Sequence, residues 1–162
     1  MSDMWWIRSH RADPEVVPLA DRHYNRQKIG SPQFAPPGRC VVFKTPAVDA
    51  FWITSWPYAQ YVKHAWAGAW VCSAFRNEST YLSSDLIRQA VAATKYLYTD
   101  VPDLGMITFV NTDKVRQKQN PGWCYICAGF SVVGKTKGGL LALQMLPKDM
   151  PQAQPLAEAS GE

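Results

Sequence analysis

With 162 residues and 47% hydrophobic content, the chain is long enough to bury one sizeable core, so a single domain is expected. A charged fraction of 19% and seven Trp argue against a disordered chain. Its apolar runs fall far short of the roughly 20 residues that a membrane span requires, and the net charge of +4 is modest. The opening residues, Met-Ser-Asp-Met-Trp-Trp, lack a basic segment followed by an apolar one, so no signal peptide and a soluble, cytoplasmic protein are expected.

Residues 1–7 read as a first strand, with Trp5 and Trp6 as bulky strand formers. Residues 13–24 read as a short helix, with Asp13 as its cap and Pro14 in its first position. Residues 29–38 hold three Pro and two Gly and form a loop. Two strands, 39–44 and 50–55, then flank a turn, and the aromatic stretch 56–67 is irregular. A strand over 69–75 feeds a helix from Asp85 to about Tyr98, whose apolar positions Leu86, Ile87, Ala90, Val91 and Leu97 recur at helical spacing. A buried strand follows at 106–110, then a basic loop, a short helix at 123–128, and strands near Val132 and over 140–146. The tail from Pro147, residues 147–162, shows no periodicity and is expected to be disordered, leaving residues 1–146 as one α/β domain.

Basic residues cluster at 22–28, 114–118 and 135–137. Converging in space they would attract phosphate; apart, they are solvated loops. Cys124 and Cys127 form a C-x-x-C, but Cys40 and Cys72 are isolated and no second pair completes a zinc set, so no metal is expected. At helical spacing Cys124 and Cys127 share one face and read equally as small buried residues. Trp52, Trp56, Tyr58, Tyr61 and Trp66 are dense enough for a base-stacking surface, although alternating strand positions must put some of them in the core. Thr80, Ser83 and Ser84 stand where the second helix starts, a place whose free N–H groups attract phosphate; simple capping explains the two serines equally well.

The succession of apolar strand, short helix ending in Tyr125-x-x-x-Gly129-Phe130, polar turn and apolar run resembles the closing half of a GCN5-related N-acetyltransferase (GNAT) fold. That resemblance implies a central mixed, twisted sheet flanked by helices, with Tyr125 beside the leaving thiol of an acyl-CoA or related donor. Such enzymes carry a Gly-rich loop at the start of the second helix; residues 77–84 here contain no glycine, and their side chains hinder close approach of a pyrophosphate.

Read together, His23-Tyr24, Arg76-Asn77-Glu78-Ser79, residues 102–110, Gly122-Trp-Cys-Tyr125 and Ala128-Gly-Phe130 resemble the Mom-like branch of this superfamily over residues 23–139. The branch comprises phage proteins that modify adenine N6 in DNA and shield it from restriction. The resemblance implies DNA as partner, no membrane, and one cleft lined by His23, Tyr24, Arg76, Asn77, Glu78, Ser79 and Tyr125. Elementary chemistry then suggests roles. Tyr125 serves as general acid or hydrogen-bonds the donor, with Tyr24 beside it, and His23 or Glu78 accepts the proton of an amine. Arg76 pairs with a phosphate, with Asn77 and Trp56 completing the substrate site. Ser79, Ser83, Ser84 and Asn111, at strand and helix ends, hold the donor. Each has a structural alternative: Tyr125 as a core aromatic, His23-Tyr24 as a helix end, Arg76 and Glu78 as a surface ion pair. Two other functions fit the same residues: acyl transfer from acyl-CoA to a small amine or protein, and a non-catalytic domain that binds nucleic acid or a partner. His10 and His64 lack any motif and are read as structural.

Overall fold

A computed structural model describes residues 3–22, 31–36, 38–112 and 122–158. Its elements are β1 (Ile7–Arg8), α1 (Val17–Asp21), β2 (Cys40–Lys44), β3 (Ala50–Ser55), β4 (Trp70–Asn77), α2 (Ser83–Leu97), β5 (Met106–Val110), α3 (Trp123–Ala128), β6 (Ser131–Lys135) and β7 (Leu141–Met145). The strands form one mixed sheet of seven in the order β1-β2-β3-β4-β5-β7-β6. Every neighbouring pair is antiparallel except β4 and β5. A parallel pair needs a long crossover, and α2 supplies it. The expected mixed α/β architecture is thus present, with modest helical cover.

The core follows from strand alternation. In β3, Trp52 joins the cluster under α2, with Leu86, Ile87, Ala90 and Val91, while Phe51 and Ile53 join Leu19 of α1 on the other face. Both faces are covered, so all six β3 residues are buried. A hydroxyl chain ties sheet to helix: Trp52 Nε1 donates to Thr54 Oγ1 (2.6 Å), which lies 3.1 Å from Thr94 Oγ1. Thr94 in turn donates to the Ala90 carbonyl, so the proton between the two threonines comes from Thr54.

One irregularity shapes the middle of the sheet. Ile53 pairs with Ala74 but Thr54 pairs with Cys72, which leaves Ser73 as an extra residue in β4. Its hydroxyl contacts that of Ser55 at 2.6 Å. Such a bulge bends its strand and raises the local twist. It also changes which residues face α2. Trp70 and Cys72 lie in that core before the bulge, and Phe75 packs against it after the bulge, while Ala74 packs on the α1 face.

Several expectations need correction. The first strand is only β1, because Gln89 intercepts the backbone before it: its Oε1 accepts from Trp5 N and its Nε2 donates to Asp3 O. The first helix is only α1, with Val16 rather than Asp13 in the cap position. Asp13 is engaged elsewhere, accepting from Ser9 Oγ, Lys44 Nζ and Glu15 N. Pro14 therefore lies in a turn, not in a first helical position. The second helix starts at Ser83 behind Leu82, which has no side-chain cap, so neither Ser83 nor Ser84 is the cap.

The tail also departs from expectation. After a 3-10 turn at Pro147–Asp149, residues 150–158 lie along α2. Gln154 N donates to Ala92 O, Ala157 N to Trp6 O, and Lys95 Nζ to Pro151 O, while Met150 and Leu156 pack on the core. This packing rests on main-chain partners and scattered apolar contacts, which leave no periodic trace.

Candidate functional site

The strands β4 and β5 pair through only three rungs, Trp70–Met106, Val71–Ile107 and Cys72–Thr108. Among the described residues no ladder joins them beyond that point, although β4 runs on to Asn77 and β5 to Val110. The parting coincides with the bulge at Ser73, which bends β4 away. Open sheets bind ligands outside the carboxyl ends of parallel strands, where neighbouring strands diverge. This fork is the corresponding place here.

Tyr125, from α3, floors the fork. Its hydroxyl lies 3.6 Å from Sγ of Cys72, which pairs with Thr108 in the last shared rung. Thr108 Oγ1 donates to the Cys72 carbonyl at 3.2 Å, closing that rung. Phe75 and Phe130 meet the phenol ring edge-on, with centroids at 6.3 and 5.4 Å. Gly129 makes this position possible. It ends α3 at φ +115°, and an added Cβ would lie 3.1 Å from Met145 Cε.

Burial decides the chemistry of both groups. Desolvation, with nearby Cys72 and Cys124 adding to it, holds the Tyr125 phenol well above its ordinary pKa. It therefore stays protonated near neutral pH and donates a hydrogen bond more readily than a proton. Desolvation likewise pushes the Cys72 thiol up to about 12, so it is no nucleophile. Cys124 is half-buried and Cys127 exposed, so the C-x-x-C is not a buried pair. Among the described residues no three His, Cys, Asp or Glu side chains gather as a metal set.

At the carboxyl end of β4 the side chains alternate between two neighbours. Arg76 turns to α1: its Nη1 donates to Arg22 O at 2.9 Å and its Nε to Glu78 Oε2 at 2.5 Å. Arg22 grips the same carboxylate bidentately, at 2.8 and 2.9 Å. Hydrogen bonds from Arg22, then Arg76, hold the Glu78 carboxyl down at about 2. A carboxylate so stabilised is a poor proton acceptor at neutral pH. Glu78 therefore positions two arginines. Among the described residues, Arg76 Nη2 and Arg22 Nη1 have no hydrogen-bond partner.

Asn77 turns the other way and organises the loop into α2. Its Nδ2 donates to Tyr81 O and Ser83 Oγ, and its Oδ1 accepts from Ser79 N and Ser79 Oγ. Ser79 Oγ also accepts from Tyr81 N, and Tyr81 stacks on Trp5 at 4.1 Å. The loop is thus closed on itself, and Asn77, Ser79 and Ser83 hold backbone. Ser84, the second residue of α2, is half-buried, and Asn111 follows the carboxyl end of β5.

Trp56 is not part of this group. It follows Ser55, which pairs with Val71, so it stands at the amino end of β4, away from Arg76 and Asn77. Trp52 is fully buried, whereas Tyr58 and Tyr61 are exposed. Trp66 packs with His64 and Phe109, and burial lowers the pKa of His64. His23, Tyr24 and the basic run 114–118 lie outside the described residues.

Tyr125 thus lies at the fork on the α2 side of the sheet, Arg76 and Glu78 turn to α1 on the other side, and Asn77, Ser79 and Ser83 close the loop into α2. Sequence reading overlooked Thr108 and Arg22's grip on Glu78. Thr108 carries no motif signal, and Arg22 was visible only as one member of a basic cluster. The chain matches no protein-family model, no curated protein and no solved structure.

Proposed function

We propose that the protein is a Mom-like transferase of the GNAT superfamily that modifies the N6 amino group of adenine in DNA, as a phage defence against restriction. The observation that carries this reading is the fork between β4 and β5 with Tyr125 at its base; Arg76 and Arg22 stand at the same carboxyl end of β4, on the α1 side of the sheet. It is a crevice beside a parallel pair in a sheet ordered β1-β2-β3-β4-β5-β7-β6, with the Tyr-x-x-x-Gly-Phe helix at its base.

In this reading Tyr125, kept neutral by burial, offers its O–H to the atom that departs as the amine attacks. Arg76 Nη2 and Arg22 Nη1, without a partner among the described residues, take a phosphate of the target strand, and Glu78 keeps both guanidinium groups in place. An amine must shed a proton as its new bond forms. With Glu78 held ionised by two arginines, His23 is the acceptor that chemistry favours. An acyl-CoA donor fits poorly: a pyrophosphate needs glycine-lined backbone at the start of α2, and residues 77–83 are instead bonded to one another through Asn77. Ordinary acyl-CoA transfer is for that reason the second reading.

The test is a nucleoside digest of DNA from cells expressing the chain, resolved by mass spectrometry. A modified deoxyadenosine is expected, lost with Tyr125→Phe. Ordinary nucleosides alone, from cells that contain the folded protein, would end this reading.

A further inference from the structure

At the opposite end of β4, the chain carries a second group of chemistry-bearing side chains. The Arg39 guanidinium stacks over the Trp56 ring at 4.6 Å and the Tyr58 ring at 4.4 Å. No hydrogen bond or ion pair engages that guanidinium among the described residues, so its N–H edges remain for an acceptor. Its position is fixed from both sides. Trp56 N donates to Arg39 O at 2.9 Å and Trp56 Nε1 to Gly68 O at 3.2 Å. Arg11 clamps the preceding turn, donating to Pro36 O, Gly38 O and Cys40 Sγ. Arg11 thereby brings a second cation beside Arg39 at this end of the sheet. Beside them the 3-10 turn Ala59–Tyr61 leaves Tyr58 56% and Tyr61 74% exposed.

We infer that this end of the sheet is an anchoring surface for a single nucleic-acid strand: Arg39, stiffened by its two rings, takes a phosphodiester, and Tyr61 stacks on a neighbouring base. The inference rests on the DNA-modifying reading for its partner, but on different residues. A guanidinium with occupied faces and free edges suits a phosphate oxygen pair. Exposed aromatic rings beside it suit a base, whereas an acidic peptide would make no use of them. The distance is also apt. From Val71, level with this cluster, to Asn77 at the fork, β4 spans about 20 Å at roughly 3.3 Å per residue. A single strand crosses that distance in a few nucleotides. The anchor would thus hold the strand flanking the target, leaving the fork for the base itself.

The test uses the full chain and a labelled single-stranded 12-mer, with affinity followed by fluorescence anisotropy across a salt series. Arg39→Ala is expected to weaken binding about tenfold and to lower the salt slope by roughly 0.7, the share of one phosphate contact. Arg39→Lys should restore the slope but not the full affinity, because an ammonium stacks poorly. Tyr61→Ser, at an exposed position, should weaken binding at least fivefold for the 12-mer and leave an abasic strand of equal length unaffected. Wild-type protein that binds no strand, variants that bind like wild type, or equal competition by polyglutamate would each overturn the anchor. A digest with ordinary nucleosides alongside these binding losses would remove the transferase reading and leave the anchor standing. A modified nucleoside with unaltered binding would do the reverse.

Discussion

The Tyr125 hydroxyl lies 3.6 Å from Cys72 Sγ, at the last rung that β4 and β5 share. Burial keeps both groups in their neutral forms. With its thiol pushed up to about 12, Cys72 should resist iodoacetamide at pH 8 while exposed Cys127 reacts quickly. Peptide mapping by mass spectrometry checks this, and labelling of Cys72 in folded protein at the rate of Cys127 would contradict it. Tyr125→Phe should cost about 1 kcal/mol in a urea melt, the worth of one buried hydrogen bond, so lost activity in that variant would not reflect unfolding.

Glu78 sets a pH dependence. Its folded pKa, about 2, is depressed from the ordinary 4.5, so the bonds to Arg22 and Arg76 stabilise the fold fully above about pH 4.5 and fade as pH falls toward 2. Glu78→Gln should therefore lower Tm by a constant small amount from pH 8 to 5, and the two proteins should converge below pH 4. Parallel Tm curves down to pH 2.5 would show that the carboxylate contributes nothing through its charge.

Gly105 precedes β5 at φ +67°, and a Cβ there would lie 2.0 Å from the Met145 carbonyl oxygen. That oxygen belongs to the backbone of β7 and cannot rotate aside. Gly105→Ala should cost more than about 3 kcal/mol, combining left-handed strain with displacement of a strand. Gly38→Ala offers the control, since φ is +98° with nothing within 4 Å of a new Cβ. Strain alone, about 1–2 kcal/mol, is expected there. Equal losses in denaturant melts would refute the steric account.

Removal of residues 147–162 should lower Tm by several degrees, because it strips the main-chain partners of Ala92 and Trp6 and uncovers the core beneath Leu156. Amide exchange at Gln154 and Ala157 offers an independent check, with protection expected at both.

Much of the sheet was legible from residue order. The limits of β3, β5 and α3 coincide with the sequence expectation, since each combines a clear apolar pattern with turn residues at its ends. What escaped was whatever depends on partners distant in sequence. Trp56 was grouped with Arg76 because nothing local says which end of a strand a loop joins. Glu78 read as a base because its two arginines come from different elements. The clamp of Arg39 by Trp56 and Tyr58 was visible only as an aromatic-rich stretch.

The extra residue in β4 bears on how this chain should be compared with others. Before Ser73 the even-numbered residues face α2; after it, Phe75 and Asn77 do, and Arg76 turns to α1. An alignment that runs through this strand without a gap would superpose Arg76 on residues of the wrong face in any relative lacking the bulge. Position 73 is where such a gap belongs, and relatives are best sought with the two halves of β4 matched separately.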